Sequence, residues 1–169
     1  MAKTTNRLAS ALIGMAACLT ASPALAGAAT TPNSQAQVLE SIQFAVLLDM
    51  DFGRIALRDT VSGGDVVVDP ASSSRSCTAN IVCAGTWGVS RLELSGSDAG
   101  VQVNFDPTFE LTGPGDPIQA EPNFPGGPGT VVQLTGGFTV VNFGATLHIN
   151  PGQAPGVYSG QFTVNLEYN

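Results

Sequence analysis

Between residues 42 and 168, large apolar side chains recur at every second position in short runs, without the 3.6-residue recurrence of an amphipathic helix. Ile42, Phe44, Val46, Leu48, Met50 and Phe52 fall on one face of an extended chain, with Gln43 and Asp49 among their opposites. That alternation predicts a long strand over 42–52, bulged near Asp49 and ended by Gly53. A short strand over 66–68 stops at Asp69-Pro70, because proline has no N–H to give to a ladder. Leu92 and Leu94 alternate with Arg91, Glu93 and Ser95, and Val101, Val103 and Phe105 alternate with Gln102, Asn104 and Asp106. These two runs read as neighbouring strands joined across 96–100.

The distal third is more regular, with strands predicted over 130–134, 137–141, 145–149 and 158–168. In the last, Tyr158, Phe162, Val164, Leu166 and Tyr168 share a face, while Ser159, Gln161, Thr163, Asn165 and Glu167 take the other. Burying each large apolar side chain is worth roughly 1.5 to 3 kcal/mol, and a slip of one residue would bury the polar set instead. The register of that strand is therefore tightly specified. Between the runs, 71–76 is serine-rich and reads as a loop. The glycine- and proline-rich stretch 113–129, whose large apolar residues are Ile118 and Phe124, reads as a long surface loop. Many short one-sided strands separated by Gly, Pro, Asn and Asp suit an all-β, two-layer antiparallel sandwich.

The first residues follow a different pattern. Lys3 and Arg7 precede an apolar run over 8–19 and the small-residue track Ala24-Leu25-Ala26-Gly27-Ala28, the order of a secretory signal. The run is shorter than the roughly 20 residues a helix needs to cross a bilayer, so no membrane span is expected. Residues 1–28 are assigned as the signal peptide, cut after Ala26 or Ala28, and 29–169 as a single domain exported to the periplasm or cell surface. Cys18, in the weak lipobox Met15-Ala16-Ala17-Cys18, is discarded with the signal. Export also changes the charge. Of 6 basic and 13 acidic residues, Lys3 and Arg7 leave, so Arg54, Arg58, Arg75 and Arg91 face all thirteen carboxylates. Such a chain offers no footprint for a phosphate backbone, which excludes nucleic acid as a partner.

Cys77 and Cys83 are the cysteines left after cleavage, and an even count in an exported chain points to a disulfide. Closing so small a loop contributes about 2 kcal/mol, a staple on a hairpin or bulged turn. Metal is not expected, because no C-x2-C spacing exists and His148 alone completes no zinc set. His148 sits in a polar alternation with Thr146 and Asn150 and reads as outward-facing. Asp49 and Asp51 share a side at the spacing of paired carboxylates, but such pairs commonly flank a strand end and stay solvated. Asp98, Asp106 and Asp116 match no calcium loop. With no oriented acid, base or nucleophile, neither catalysis nor a cofactor is expected.

At Leu48-Asp49-Met50-Asp51-Phe52-Gly53-Arg54-Ile55, and again at Asp65-Val66-Val67-Val68-Asp69-Pro70, the chain resembles the domain of unknown function 4402 family of exported bacterial proteins. The likeness continues from Gly144-Ala145-Thr146-Leu147-His148-Ile149-Asn150 to Gly156-Val157-Tyr158-Ser159-Gly160-Gln161-Phe162-Thr163-Val164. It is looser at the Cys77 to Cys83 insert and in 113–129. Such domains are similar to subunits of chaperone-usher pili and to spore-coat-U-like pilins, which implies an immunoglobulin-like antiparallel β-sandwich. It also implies a structural subunit of a surface fibre, pilus or fimbria, or of an adhesive coat, with a periplasmic chaperone and like subunits as partners. In those proteins the sandwich lacks one strand, which another chain lends. The C-terminal strand engages the chaperone, and here the corresponding residues are Gly156, Tyr158, Phe162, Val164, Leu166 and the penultimate Tyr168. The donor side fits less well: over 30–41, Ala36, Val38 and Glu40 share a face, a poor apolar series. The alternative is a self-contained binding module without strand exchange, using the 113–129 loop as its surface.

Overall fold

A computed structural model describes residues 33–169. The expected signal peptide, the start of the expected domain at residue 29 and Cys18 lie outside the described residues. Gln37–Asn169 forms one compact unit. Its strands are β1 (Gln43–Leu48), β2 (Arg54–Leu57), β3 (Gly64–Asp69), β4 (Ser74–Cys77), β5 (Ile81–Ala84), β6 (Ser90–Ser95), β7 (Gly100–Phe105), β8 (Phe109–Leu111), β9 (Ile118–Asn123), β10 (Thr130–Gln133), β11 (Phe138–Ile149) and β12 (Val164–Tyr168). All pairings are antiparallel, and no helix occurs among the described residues.

One sheet has the order β1-β6-β11-β3-β4, with β9 also pairing to β11 and β8 to β9; a second has the order β10-β7-β12; β2 and β5 pair with each other as a separate ribbon. The architecture is all-β and sandwich-like, for a physical reason visible in β6 and β7. Leu92 and Leu94 on β6 and Val103 on β7 are buried in one cluster with Val141, Phe143 and Phe124, so the two sheets press their apolar faces together. Phe143 is the centre of that cluster, stacked on Phe124 at 4.8 Å and met edge-on by Phe105 at 5.4 Å. A second cluster gathers Val66, Val68, Leu111, Ile118, Ala120, Leu147 and Ile149 under the other half of the large sheet.

Several expectations need correction. The runs at 91–95 and 101–105 are not hairpin partners: β6 pairs with β1 and β11, whereas β7 pairs with β10 and β12. Two one-sided strands can hide their apolar faces by facing each other across the core as well as by lying side by side. The expected strands 137–141 and 145–149 are one strand, β11, with Gly144 inside it. A Cβ at Gly144 would collide with the Val68 carbonyl and the Pro70 ring, so glycine there permits a close backbone approach and is not a break. The 71–76 loop is a turn followed by β4. The 113–129 loop contains β9, whose Pro122 lies opposite Ala145 of β11 and beyond the stretch that β8 pairs. A strand absent from the sequence reading, β2, follows Gly53. The strand expected over 42–52 ends at Leu48, and its register shifts between Val46 and Leu48, ahead of Asp49.

Candidate functional site

The two sheets do not cover each other completely, and the uncovered part lies between β1 and β12. Phe44 and Val46 on β1 pair with Leu94 and Leu92 on β6, which places all four on the inward face. Leu94 and Leu92 are buried, yet Phe44 and Val46 remain 64% and 54% exposed. All six residues of β1 are exposed. On the other side, Val164, Leu166 and Tyr168 pair with Phe105, Val103 and Val101. Val101 and Val103 are fully buried, whereas Val164, Leu166 and Tyr168 on β12 are only half-buried. Both β1 and β12 pair on one side alone, with β6 and β7 respectively. Other edge strands differ: β8, for example, buries its inward Leu111.

A cleft of about 1150 Å3 opens beside these edges. Its floor is the buried set Leu111, Ile118, Leu147 and Ile149, and residues 49–57, including β2, and 152–162 also line it. Val46 and Leu92 reach it from the β1 side and Phe162 and Val164 from the β12 side. Phe162 also meets Phe143 at 5.4 Å, joining the cleft wall to the core.

Of the expected assembly strand, Val164, Leu166 and Tyr168 are in β12, whereas Tyr158 and Phe162 precede it in extended chain without a continuous ladder. The alternation itself holds: Tyr158, Phe162, Val164, Leu166 and Tyr168 are half-buried and their odd-numbered neighbours exposed. What fails is the pairing. A bridge at Ser159 to Thr112, with N–H···O distances of 3.0 and 2.8 Å, is the one contact of ladder type in that stretch. Gly156 lies against the Pro114 ring at the cleft's edge. The Tyr158 hydroxyl accepts from the Gly115 N–H at 3.0 Å and Gln153 Nε2 at 2.9 Å, and donates to the Ala154 carbonyl at 2.9 Å. One phenol thereby fixes the wall 152–157 and the 113–117 turn.

Tyr168 closes the structure past the cleft. Its hydroxyl accepts from the Ser97 N–H at 2.9 Å and donates to the Glu40 carbonyl at 2.8 Å, while the Glu40 N–H donates to Ser97 Oγ at 2.8 Å. Ser97 and Glu40 carry no sequence signal for this role. The Cys77 and Cys83 sulfurs are bonded, with Cα atoms 6.4 Å apart, joining β4 to β5 and so tying the cleft-lining ribbon to the large sheet. Arg75 adds a second tie: its Nη1 donates to the Phe52 carbonyl at 2.9 Å and the Ala84 carbonyl at 3.3 Å, with its guanidinium over Trp87.

The acidic residues take structural positions. Asp51 accepts from the Gly53 N–H at 2.8 Å, and Asp98 accepts from the Gly137 N–H. His148 faces outward from β11, with Nδ1 2.8 Å from Asp65 and Nε2 3.6 Å from Glu121. Among the described residues, no three His, Cys, Asp or Glu side chains converge as metal ligands, and no helix is long and apolar enough to cross a membrane.

An all-β, sandwich-like fold with one apolar side incompletely covered is the class of protein these features define. The family model of a domain of unknown function (DUF4402) matches residues 42–168, and the chain belongs to that family. No curated protein and no solved structure matches it.

Proposed function

We propose that this chain is an exported, immunoglobulin-like structural subunit of a bacterial surface fibre or adhesive coat, completed by a strand that another chain lends. The observation carrying this reading is the pair of one-sided edge strands, β1 and β12, flanking an apolar cleft while the inward side chains of β1 stay exposed and those of β12 only half-buried. Exposed apolar edges invite aggregation, and proteins ordinarily shorten, charge or cover them. An inserted strand supplies backbone hydrogen bonds and places alternate side chains on the cleft floor, which removes both liabilities at once. Before assembly a periplasmic chaperone offers the same cover. Family membership, with no group of three His, Cys, Asp or Glu side chains placed to hold a metal among the described residues, favours a structural role.

Extraction of the chain from its exporting host tests the reading. High-mass assemblies that survive detergent at room temperature and dissociate on boiling are expected, and Val46→Asp or Val164→Asp should exclude the chain from them. A chain recovered entirely as monomer, with both variants behaving alike, would favour the self-contained binding module.

A further inference from the structure

We infer that the strand completing this cleft comes from a different protein, not from the arm of a second copy, and is a neutral-to-basic extended segment with bulky aliphatic or aromatic side chains at alternate positions. The inference rests on the strand-complementation reading above. The cleft of about 1150 Å3 has a floor of Leu111, Ile118, Leu147 and Ile149. An extended occupant directs every second side chain at that floor, so large apolar groups are needed at i, i+2 and i+4.

This chain's own arm lacks them. Glu40 is fixed within its own domain, its N–H donating to Ser97 Oγ and its carbonyl accepting from Tyr168, both at 2.8 Å. Once the expected signal is removed, residues 27–39 are left to reach a neighbour. The first eleven read GAATTPNSQAQ. Apart from Pro32, which has no N–H to give a ladder, none carries an apolar side chain larger than alanine. Val38 and Leu39 are bulky but adjacent, so an extended backbone points them to opposite faces, and both lie next to the anchor. Charge argues the same way. Beyond residue 30 each copy has four arginines against thirteen carboxylates, and Asp49 and Asp51 stand with Arg54 beside the cleft. The arm brings no positive charge to them.

Three fluorescent peptides titrated into the chain lacking its signal test the inference: residues 29–41 of this chain, a synthetic strand alternating Ile and Thr with a terminal Lys, and a scrambled version of that strand. Two additional large side chains on the floor should make the alternating peptide bind at least about 100-fold tighter than the arm peptide. It should also outbind the scrambled one, and Val164→Asp should abolish the preference. Should that variant fail to fold, slowed amide exchange at 43–48 and 164–168 of the unaltered chain with the alternating peptide carries the same information. Tightest binding by the arm peptide would overturn the inference and leave strand complementation standing. Equal or absent binding of all three would overturn both.

Discussion

At Tyr168 a single hydroxyl holds the Glu40 carbonyl and the Ser97 amide together, coupling the penultimate residue to the arm before β1. Removing it in Tyr168→Phe should cost about 1 kcal/mol, the usual net worth of such hydrogen bonds. A urea titration should show that loss, together with faster amide exchange at Ser97; unchanged exchange there would contradict the role. Asp69 is a second residue with a local task. The Ser72 hydroxyl, with the Ala71 and Ser72 amides, holds its carboxyl below the usual range in the turn between β3 and β4. Because the folded pKa is the lower one, the contribution to the turn is full above the ordinary carboxylate pKa and is lost as pH falls through the depressed value. Protection of the Ala71 and Ser72 amides should therefore fall in acid, and Asp69→Asn should remove that pH dependence. Residue identity was legible where it set backbone chemistry, as at Asp69-Pro70. It was not legible at Gly144, where the need for glycine comes from Val68, more than seventy positions away.

Among the elements, the β2–β5 ribbon is the one whose attachment decides the shape of the cleft. A two-stranded ribbon is marginally stable in water, and this one pairs with no other strand. The Cys77–Cys83 bond and Arg75 hold it against the large sheet. Reduction should lower stability by about 2 kcal/mol on the chain-entropy account. Exchange should accelerate in 54–57 and 81–84 while β6 and β11 stay protected. Uniform acceleration would mean that the bond supports the whole sandwich. Period-two alternation identified most strands, because it reports which strands have one buried face. It does not report the partner, which is why β6 and β7 read as a hairpin when they face each other across the core. β9 escaped for another reason: its inward residues are Ile118 and Ala120, and one large side chain among prolines and glycines makes no visible alternation.

For the whole molecule, the decisive property is an incompletely covered apolar face between β1 and β12. The alternation of 158–168 marked that face in the sequence, but the sequence held nothing to say that it would be left half-covered. Coverage depends on how many strands the opposite sheet supplies. Beyond residue 30 the balance is acidic, and like charges oppose association of bare copies, as the proposed function requires before the cleft is filled. The most direct test is hydrogen exchange of the chain measured twice, once purified alone and once within assemblies extracted from its host. The account expects β1 and β12, residues 43–48 and 164–168, to exchange quickly in the isolated chain and slowly in the assembly, with β6, β7 and β11 protected in both. Equal exchange of β1 and β12 in the two states would contradict it.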